Sequence, residues 1–326
     1  MRAVVYESLG ASDVLRLVDI DIPEPGPGEV RVHVHVSAVN PTDWKQRSGS
    51  TIATMPFPRI VPNQDGAGVI DAVGSGIDAS RVGERVWMQG AVGPHGLGTA
   101  EEFVCLPERN VVPLPESASF DLGASLGVPA VTAALALFAD GRLTGKTVLV
   151  AGGAGAVGHF AIELARRDGA RVVTTVSSPE KAELAVAAGA DAVINYRDAD
   201  AVTEIRKAAP EGVDRVVEVN LPANLSLDLD VVRTGGTIVT YAAGAEEPQV
   251  PTRRLMTANL SLDFLLLYTV AEDAHRAAVR EVSAALADGA LTELPARRFS
   301  LADTAAAHDA VEGGAVGKVL IDVASD

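Results

Sequence analysis

The sequence predicts an α/β fold in two parts, a barrel-like all-β domain joined to a doubly wound parallel sheet. Residues 28–39, GEVRVHVHVSAV, alternate strictly, with Val30, Val32, Val34 and Val36 on one face and Arg31, His33 and His35 on the other. That is the pattern of a half-buried strand in an antiparallel sheet. From about residue 122 the texture changes to continuous apolar runs separated by helical segments, as strands buried on both faces require. A chain of 326 residues is long enough for both parts.

In chain order, short strands punctuated by Gly and Pro continue to about residue 115. His33 and His35 share a face, and the alternation places them on its solvated side rather than in a metal site. TVLVAGG (147–153) is a buried strand running into a Gly-rich turn. The helix that follows sets Val157, Ala161, Leu164 and Ala165 on one side, and Gly169 ends it. RVVTTV, DAVINY, DRVVEV and GTIVTY are further strands, with a helix over 179–188, and SLDFLLLY (261–268) reads as the last strand of that sheet. A helix over 272–288 leads through PARRFSLADTAAAHDAV to a final strand, GKVLIDV, expected to fold back on the first domain. The expected domains are therefore 1–122 with 270–326, and 123–269.

The formal charge of −16 argues against nucleic acid or anionic membrane as a partner, since both are polyanions. The single Cys105 excludes an internal disulfide and a Cys-rich metal lobe, and it fits a reducing compartment. The start MRAVVYESLG lacks the apolar core of a signal peptide, and no apolar run approaches membrane-spanning length. A cytoplasmic protein is expected.

Gly153-Ala154-Gly155-Ala156-Val157-Gly158 reads G-x-G-x-x-G after a strand and at the start of a helix, the context a dinucleotide-binding turn requires. Gly153 is expected to allow the tight turn, Gly155 the approach of pyrophosphate, and Gly158 the packing of helix on strand; the helix N-terminus offers donors to phosphate. The next strand ends in Ser177, where an acid would hold an adenosine ribose, so nothing there repels a 2′-phosphate. Ser178 is an N-cap and Pro179 a first helical residue. Lys181 lies in the first turn, where the macrodipole disfavours a cation unless an anion sits beside it. With Tyr196 at the end of the following strand, these residues point to NADPH. A solvated Lys on a surface helix is the competing reading.

Given these motifs, the chain resembles the medium-chain dehydrogenase/reductase superfamily, and within it the zeta-crystallin-like NADPH:quinone oxidoreductase branch. The resemblance runs nearly end to end, through AVNPTDWKQRSG (38–49), GAGVIDAVGSGI (66–77), VGERV (82–86), VPAVTAALAL (128–137), residues 147–197, ANLSLDLDVVRTGG (223–236) and GKVLI (317–321). It implies a GroES-like β-barrel catalytic domain, built from both chain ends, and a Rossmann cofactor domain, with the active site in the cleft. It also implies a homodimer joined at the edge strand near 261–268, where FLLLY is apolar on both faces.

The departures are informative. Zinc members of the superfamily carry Cys-His where this chain has Asn40-Pro41, His-Glu where it has Gln64-Asp65, and a third Cys that aligns near Val128. Zinc needs thiolate, imidazole or carboxylate ligands, and only Asp65 qualifies, so no metal is expected. The resemblance implies Asn40 as the catalytic group, beside the nicotinamide and able to hydrogen-bond a developing oxyanion. An ordinary Asn40-Pro41 turn is the alternative. It further places Thr132, Asn220, Ala242, Ala243, Gly244 and Lys318 at the cofactor, and Trp44, Gln64, Leu266 and Tyr268 in the substrate pocket. Tyrosines that close relatives carry near Lys45 and Thr51 are missing, so a proton would come from water. The expected activity is hydride transfer from NADPH to quinones or related conjugated carbonyls. The alternatives are an alkenal or enone double-bond reductase and a non-catalytic NADPH-binding, crystallin-like protein.

Overall fold

The computed structural model describes residues 1–324 other than 94, 199 and 245. The chain divides into two compact units, residues 1–128 with 293–326, and residues 129–292.

The first unit begins with a two-stranded antiparallel ribbon, β1 (Arg2–Val5) and β2 (Arg16–Asp19). The long β3 (Glu29–Val39) follows, then α1 (Pro41–Ser48), β4 (Asp65–Val73), β5 (Arg85–Met88), β6 (Phe103–Pro107), β7 (Val111–Pro113) and the short α2 (Phe120–Ala124). The alternation in β3 is realised: Val30, Val32, Val34 and Val36 are buried, the first three in a core shared with Ile70, Val86, Val104 and Leu106. Its other face is half-buried, with Arg31, His33 and His35 each partly exposed. His33 stacks on Phe103 with ring centroids 4.7 Å apart and His35 on Phe120 at 4.4 Å, because these aromatic residues supply apolar area that the sequence pattern alone does not place.

α3 (Gly127–Phe138) carries the chain into the second unit. There β8 (Thr147–Ala151), α4 (Ala156–Arg167), β9 (Arg171–Val176), α5 (Pro179–Ala187), β10 (Ala192–Asn195), α6 (Ala201–Ala208), β11 (Val213–Glu218), α7 (Leu221–Val231), β12 (Val232–Thr240), α8 (Thr252–Thr257) and β13 (Ser261–Phe264) succeed one another. Every strand pair is parallel, in the order β10-β9-β8-β11-β12-β13. This is the doubly wound order, in which a ligand crevice opens at the C-terminal ends where the order reverses, between β8 and β11. Val148, Val150, Val172, Val173, Val216 and Val217 are buried, as a sheet covered on both faces demands.

β13 is shorter than the run SLDFLLLY suggests, because after Phe264 the chain leaves the sheet for a helical turn at Leu267–Thr269. α9 (Glu272–Ala287) belongs to the second unit and not, as the sequence suggested, to the first. The cause is a set of contacts within the second unit: Arg142 bridges to Glu281 at 2.7 Å, Arg167 to Asp288 at 2.5 Å, and Thr292 Oγ1 donates to Glu163 Oε1 at 2.5 Å. The chain then returns to the first unit as β14 (Ala296–Ser300), α10 (Thr304–Glu312) and β15 (Lys318–Asp322). Its larger sheet runs β14-β15-β3-β4-β5-β7, with β6 also paired to β3.

Candidate active site

In the second unit, three of the glycines of the turn after β8 have distinct physical reasons. Gly152 takes the left-handed conformation, φ +71°, so the tight turn falls one residue before the position expected for it. Gly153 is glycine because a Cβ there would lie 2.1 Å from Thr174 Oγ1. Gly158 lets α4 approach the turn, since its Cβ would meet the Gly152 carbonyl at 2.4 Å. Gly155 is the N-cap of α4, with Ala156 and Val157 as the first helical residues, and it has no side chain to cap the helix's first N–H groups. That leaves the N-terminus available to a phosphate.

At the neighbouring strand ends, Ser177 follows β9 and Tyr196 follows β10, whose Asn195 lies in register with Val176. Ser178 caps α5 ahead of Pro179, accepting from the Lys181 backbone N–H at 3.4 Å. The Lys181 ammonium swings back to Ser177 Oγ at 3.0 Å, and Tyr196 is exposed beside the same sheet end. A cation, a hydroxyl and a phenol thus gather where an acid would otherwise stand. The glycine cradle and this trio suit a dinucleotide bearing a 2′-phosphate. Asn220, the exposed N-cap of α7, and Ala242-Ala243-Gly244, directly after β12, lie on the same C-terminal side of the sheet. Thr132 is buried on α3, while Leu266 and Tyr268 are exposed beyond β13.

In the first unit, adjacent strand ends bring Asn40, Asp65 and Lys318 into one row. β15 pairs with β3 so that Val319 faces Val39, and one further step sets Lys318 opposite Asn40; β4 pairs so that Asp65 faces Ala38. Asn40, 1% exposed, donates from Nδ2 to Asp65 Oδ2 at 2.8 Å and accepts on Oδ1 from Lys318 Nζ at 2.5 Å. In place of the alternative Asn40-Pro41 turn the chain starts a helix: Asn40 is the N-cap of α1, and its N–H donates to Asp43 Oδ2 at 2.7 Å. Lys318, 3% exposed, directs its ammonium into its own unit. Gln64 is buried, its Oε1 accepting from the Val92 N–H, and Trp44 is half-buried on α1.

Sequence reasoning missed Asp43 and gave Asp65 no part beyond the metal question. Burial raises Asp43 to about 7, against the donors Asn40 N and Gln64 N and the nearby Lys318 cation. Asp65 is raised to about 6 by burial, countered by Lys318 and by the Val128 N–H, 2.8 Å away at the start of α3. Burial lowers Lys318, and the two carboxylates oppose that shift. The spacing Asn40-x-x-Asp43 before Trp44 is a capping-box signal that could have pointed to Asp43.

Two further carboxyls, Glu218 at the end of β11 and Asp228 on α7, are buried against each other. Glu218 Oε1 accepts from Asn224 Nδ2 at 2.9 Å and from the Asn220 N–H. Burial raises both acids, and Asp228, facing the Glu218 charge as well, reaches about 9.

An antiparallel domain completed by the chain's C-terminal end and a doubly wound domain carrying a glycine cradle define a dinucleotide-dependent oxidoreductase of two domains. Residues 26–116 match the alcohol dehydrogenase GroES-like domain and residues 156–284 the zinc-binding dehydrogenase family. The chain is 31% identical to the quinone oxidoreductase of Rattus norvegicus, over 98% of this chain and 97% of the relative. It is 32% identical to a 2-methylene-furan-3-one reductase of Solanum lycopersicum, over 76% of this chain and 64% of the relative. Among solved structures, a mycobacterial protein complexed with NADPH superposes with a TM-score of 0.84 at 29% identity, over 98% of this chain and 99% of the other. The chain belongs to the medium-chain dehydrogenase/reductase superfamily, on its quinone oxidoreductase branch.

The zinc named by one matching family does not fit these residues. Asn40 and Gln64 offer neutral amides, Asp65 is the lone carboxylate among the expected positions, and the Lys318 cation already sits against Asn40. Among the described residues no group of three or more His, Cys, Asp or Glu side chains could hold a metal ion. No helix is long and apolar enough to cross a membrane.

Proposed function

We propose that this chain is a zinc-independent, NADPH-dependent reductase of quinones and related conjugated carbonyls. The observation that carries the cofactor choice is the Lys181 ammonium held on Ser177 at the end of β9. A 2′-phosphate there would accept from Lys181, Ser177 and Tyr196, and would neutralise a cation in the first turn of α5. The first N–H groups of α4, opened by Gly155, receive the pyrophosphate. When bound, NADPH supplies the hydride. Thr132, Asn220 and Ala242-Ala243-Gly244 orient the nicotinamide half. Asn40 donates to the acceptor oxygen on which charge develops; Trp44 and Gln64 of the first unit, and Leu266 and Tyr268 of the second, are the residues offered to the acceptor. The proton on the product oxygen comes from water.

With amides at the positions of metal ligands, nothing here would acidify a simple alcohol, whereas an electrophilic quinone needs no such help. The similarity to a 2-methylene-furan-3-one reductase favours enones as the second acceptor class. The buried Cys105 suits a reducing compartment such as the cytoplasm. β13 is one of the two edge strands of the six-stranded sheet, and its Phe264, 71% exposed, supports a homodimer joined there. Light scattering that shows a monomer at micromolar concentration would refute that assembly.

The test follows NADPH absorbance with ortho- and para-quinones, 2-alkenals, cyclic enones, and alcohols plus NADP in reverse. Turnover of quinones without alcohol oxidation is expected. Turnover confined to alkenals would replace the acceptor class, and tight NADPH binding with no turnover would favour a non-catalytic binder. In parallel, Lys181→Ala should weaken NADPH by about tenfold or more, the worth of a charge-assisted contact, and leave NADH nearly unchanged. Equal losses for the two cofactors would remove the phosphate assignment.

A further inference from the structure

We propose that Lys318 is a positioning residue for the reduction: together with Asp65 it fixes which end of the Asn40 carboxamide is the donor. This rests on the assignment of Asn40 above. The two ends of an amide are nearly alike in shape, and only their partners distinguish them. Here the partners are unambiguous. An ammonium can only donate and an ionised carboxylate can only accept, so Oδ1 must face Lys318 and Nδ2 must face Asp65. The reversed amide would set NH2 against ammonium and carbonyl against carboxylate, losing both charge-assisted bonds in a buried site. A primary amide carries two hydrogens on Nδ2, and Asp65 takes one of them.

Both clamps are themselves fixed. Asp65 Oδ2 accepts from the Val128 N–H at 2.8 Å, and a Cβ on Gly127 would lie 2.2 Å from Asp65 Oδ1, so the carboxylate lies directly on the backbone at the start of α3. On the other side, Gly317 has φ +82°, and a Cβ there would fall 2.0 Å from the Pro295 carbonyl. The Lys318 N–H donates to that same carbonyl at 2.9 Å. Only glycine at 317 allows this entry into β15, which is what sends the Lys318 side chain inward to meet Asn40. Three neighbouring strands, β15, β3 and β4, thus deliver cation, amide and carboxylate in that order.

The experiment is a double-mutant cycle on the full chain with NADPH and a para-quinone, normalising each kcat to the fraction of protein that binds NADPH. Asn40→Ala is expected to lower kcat roughly tenfold to a hundredfold, as loss of one oxyanion donor does in a site with a reactive acceptor. Lys318→Met should lower kcat by roughly tenfold with NADPH affinity unchanged, and should have no further effect in the Asn40→Ala background. Losses that multiply, or a Lys318→Met enzyme with normal kcat beside an impaired Asn40→Ala enzyme, would overturn the positioning role and leave Asn40 standing. A normal kcat for Asn40→Ala would overturn the Asn40 assignment and this inference together. If Lys318→Met does not fold, Lys318→Gln decides the same way. It keeps a donor to Oδ1 without the charge, so its expected loss is smaller but must also vanish in the Asn40→Ala background.

Discussion

The two units each bury a pair of carboxyls, and they solve the same electrostatic problem differently. In the first unit Asp43 and Asp65 share the site with the Lys318 ammonium and receive backbone N–H groups from Asn40, Gln64 and Val128. Burial lifts them only to about 7 and about 6. In the second unit no cation among the described residues pairs with Glu218 or Asp228. Neither Asp228 oxygen has a hydrogen-bond donor from the rest of the unit, and Asp228 is driven to about 9. Arg206 on α6 and Arg254 on α8 both turn to Asp230 instead, and Tyr241, near Glu218, adds no positive charge. A cation and oriented N–H groups therefore hold a buried acid pair closer to its ordinary ionisation, whereas a pair without them shares a proton. The first arrangement leaves a fixed charge pattern that can orient an amide; the second is silent until the pH rises.

The contrast breaks most visibly if the cation is removed. Lys318→Met leaves two buried carboxyls without their counter-charge, and removing one partner of a buried ion pair costs about 3–5 kcal/mol. Urea denaturation at pH 7 measures it, and a loss below about 1 kcal/mol would mean that the ammonium contributes little. A smaller effect sharpens the same point. Adding Asp65→Asn to Lys318→Met removes one of the orphaned acids, so the double variant should lose less than the sum of the singles, by about 0.5–3 kcal/mol. Strict additivity would separate Lys318 from Asp65 energetically.

In the second unit the expected effect is read from its pH dependence rather than from its size at one pH. Asp228 is an acid whose folded value is raised from 3.8 to about 9, so between those values the native state holds more proton than the unfolded state. Stability must then fall as pH rises through that window. Asp228→Asn keeps a donor toward Glu218 and removes the titration, so its urea midpoint should gain on the wild type steadily from pH 5 to pH 9. A constant difference across that range would show that Asp228 ionises normally.

Much of this was legible in the sequence because it is local. The alternation of Val30 to Val36, the cradle from Gly153 to Gly158 and the Ser177-Ser178-Pro179-x-Lys181 run each lie within one strand or one turn, and each forms the element its pattern implies. What was not legible depends on register between distant segments. Lys318, Asn40 and Asp65 meet only because β15, β3 and β4 are neighbours in the sheet, which nothing in GKVLI or AVNPTD states by itself. The Glu218–Asp228 pair likewise joins a strand end to the far part of a helix. α9 has an ordinary amphipathic pattern, and its unit was decided by Arg142 and Arg167, more than a hundred residues earlier in the chain. Local strain was also misplaced by one residue: G-x-G-x-x-G names Gly153, whereas the positive φ falls on Gly152.

Metal independence is the part of the proposed function on which the roles of the chain's amides, carboxylates and Lys318 depend. It is tested most directly by the initial rate of NADPH oxidation with a para-quinone before and after exhaustive treatment with a strong zinc chelator, alongside elemental analysis of the same samples. The expected result is zinc far below one per chain and an unchanged rate. One zinc per chain, lost to the chelator together with the activity and restored by added zinc, would contradict it.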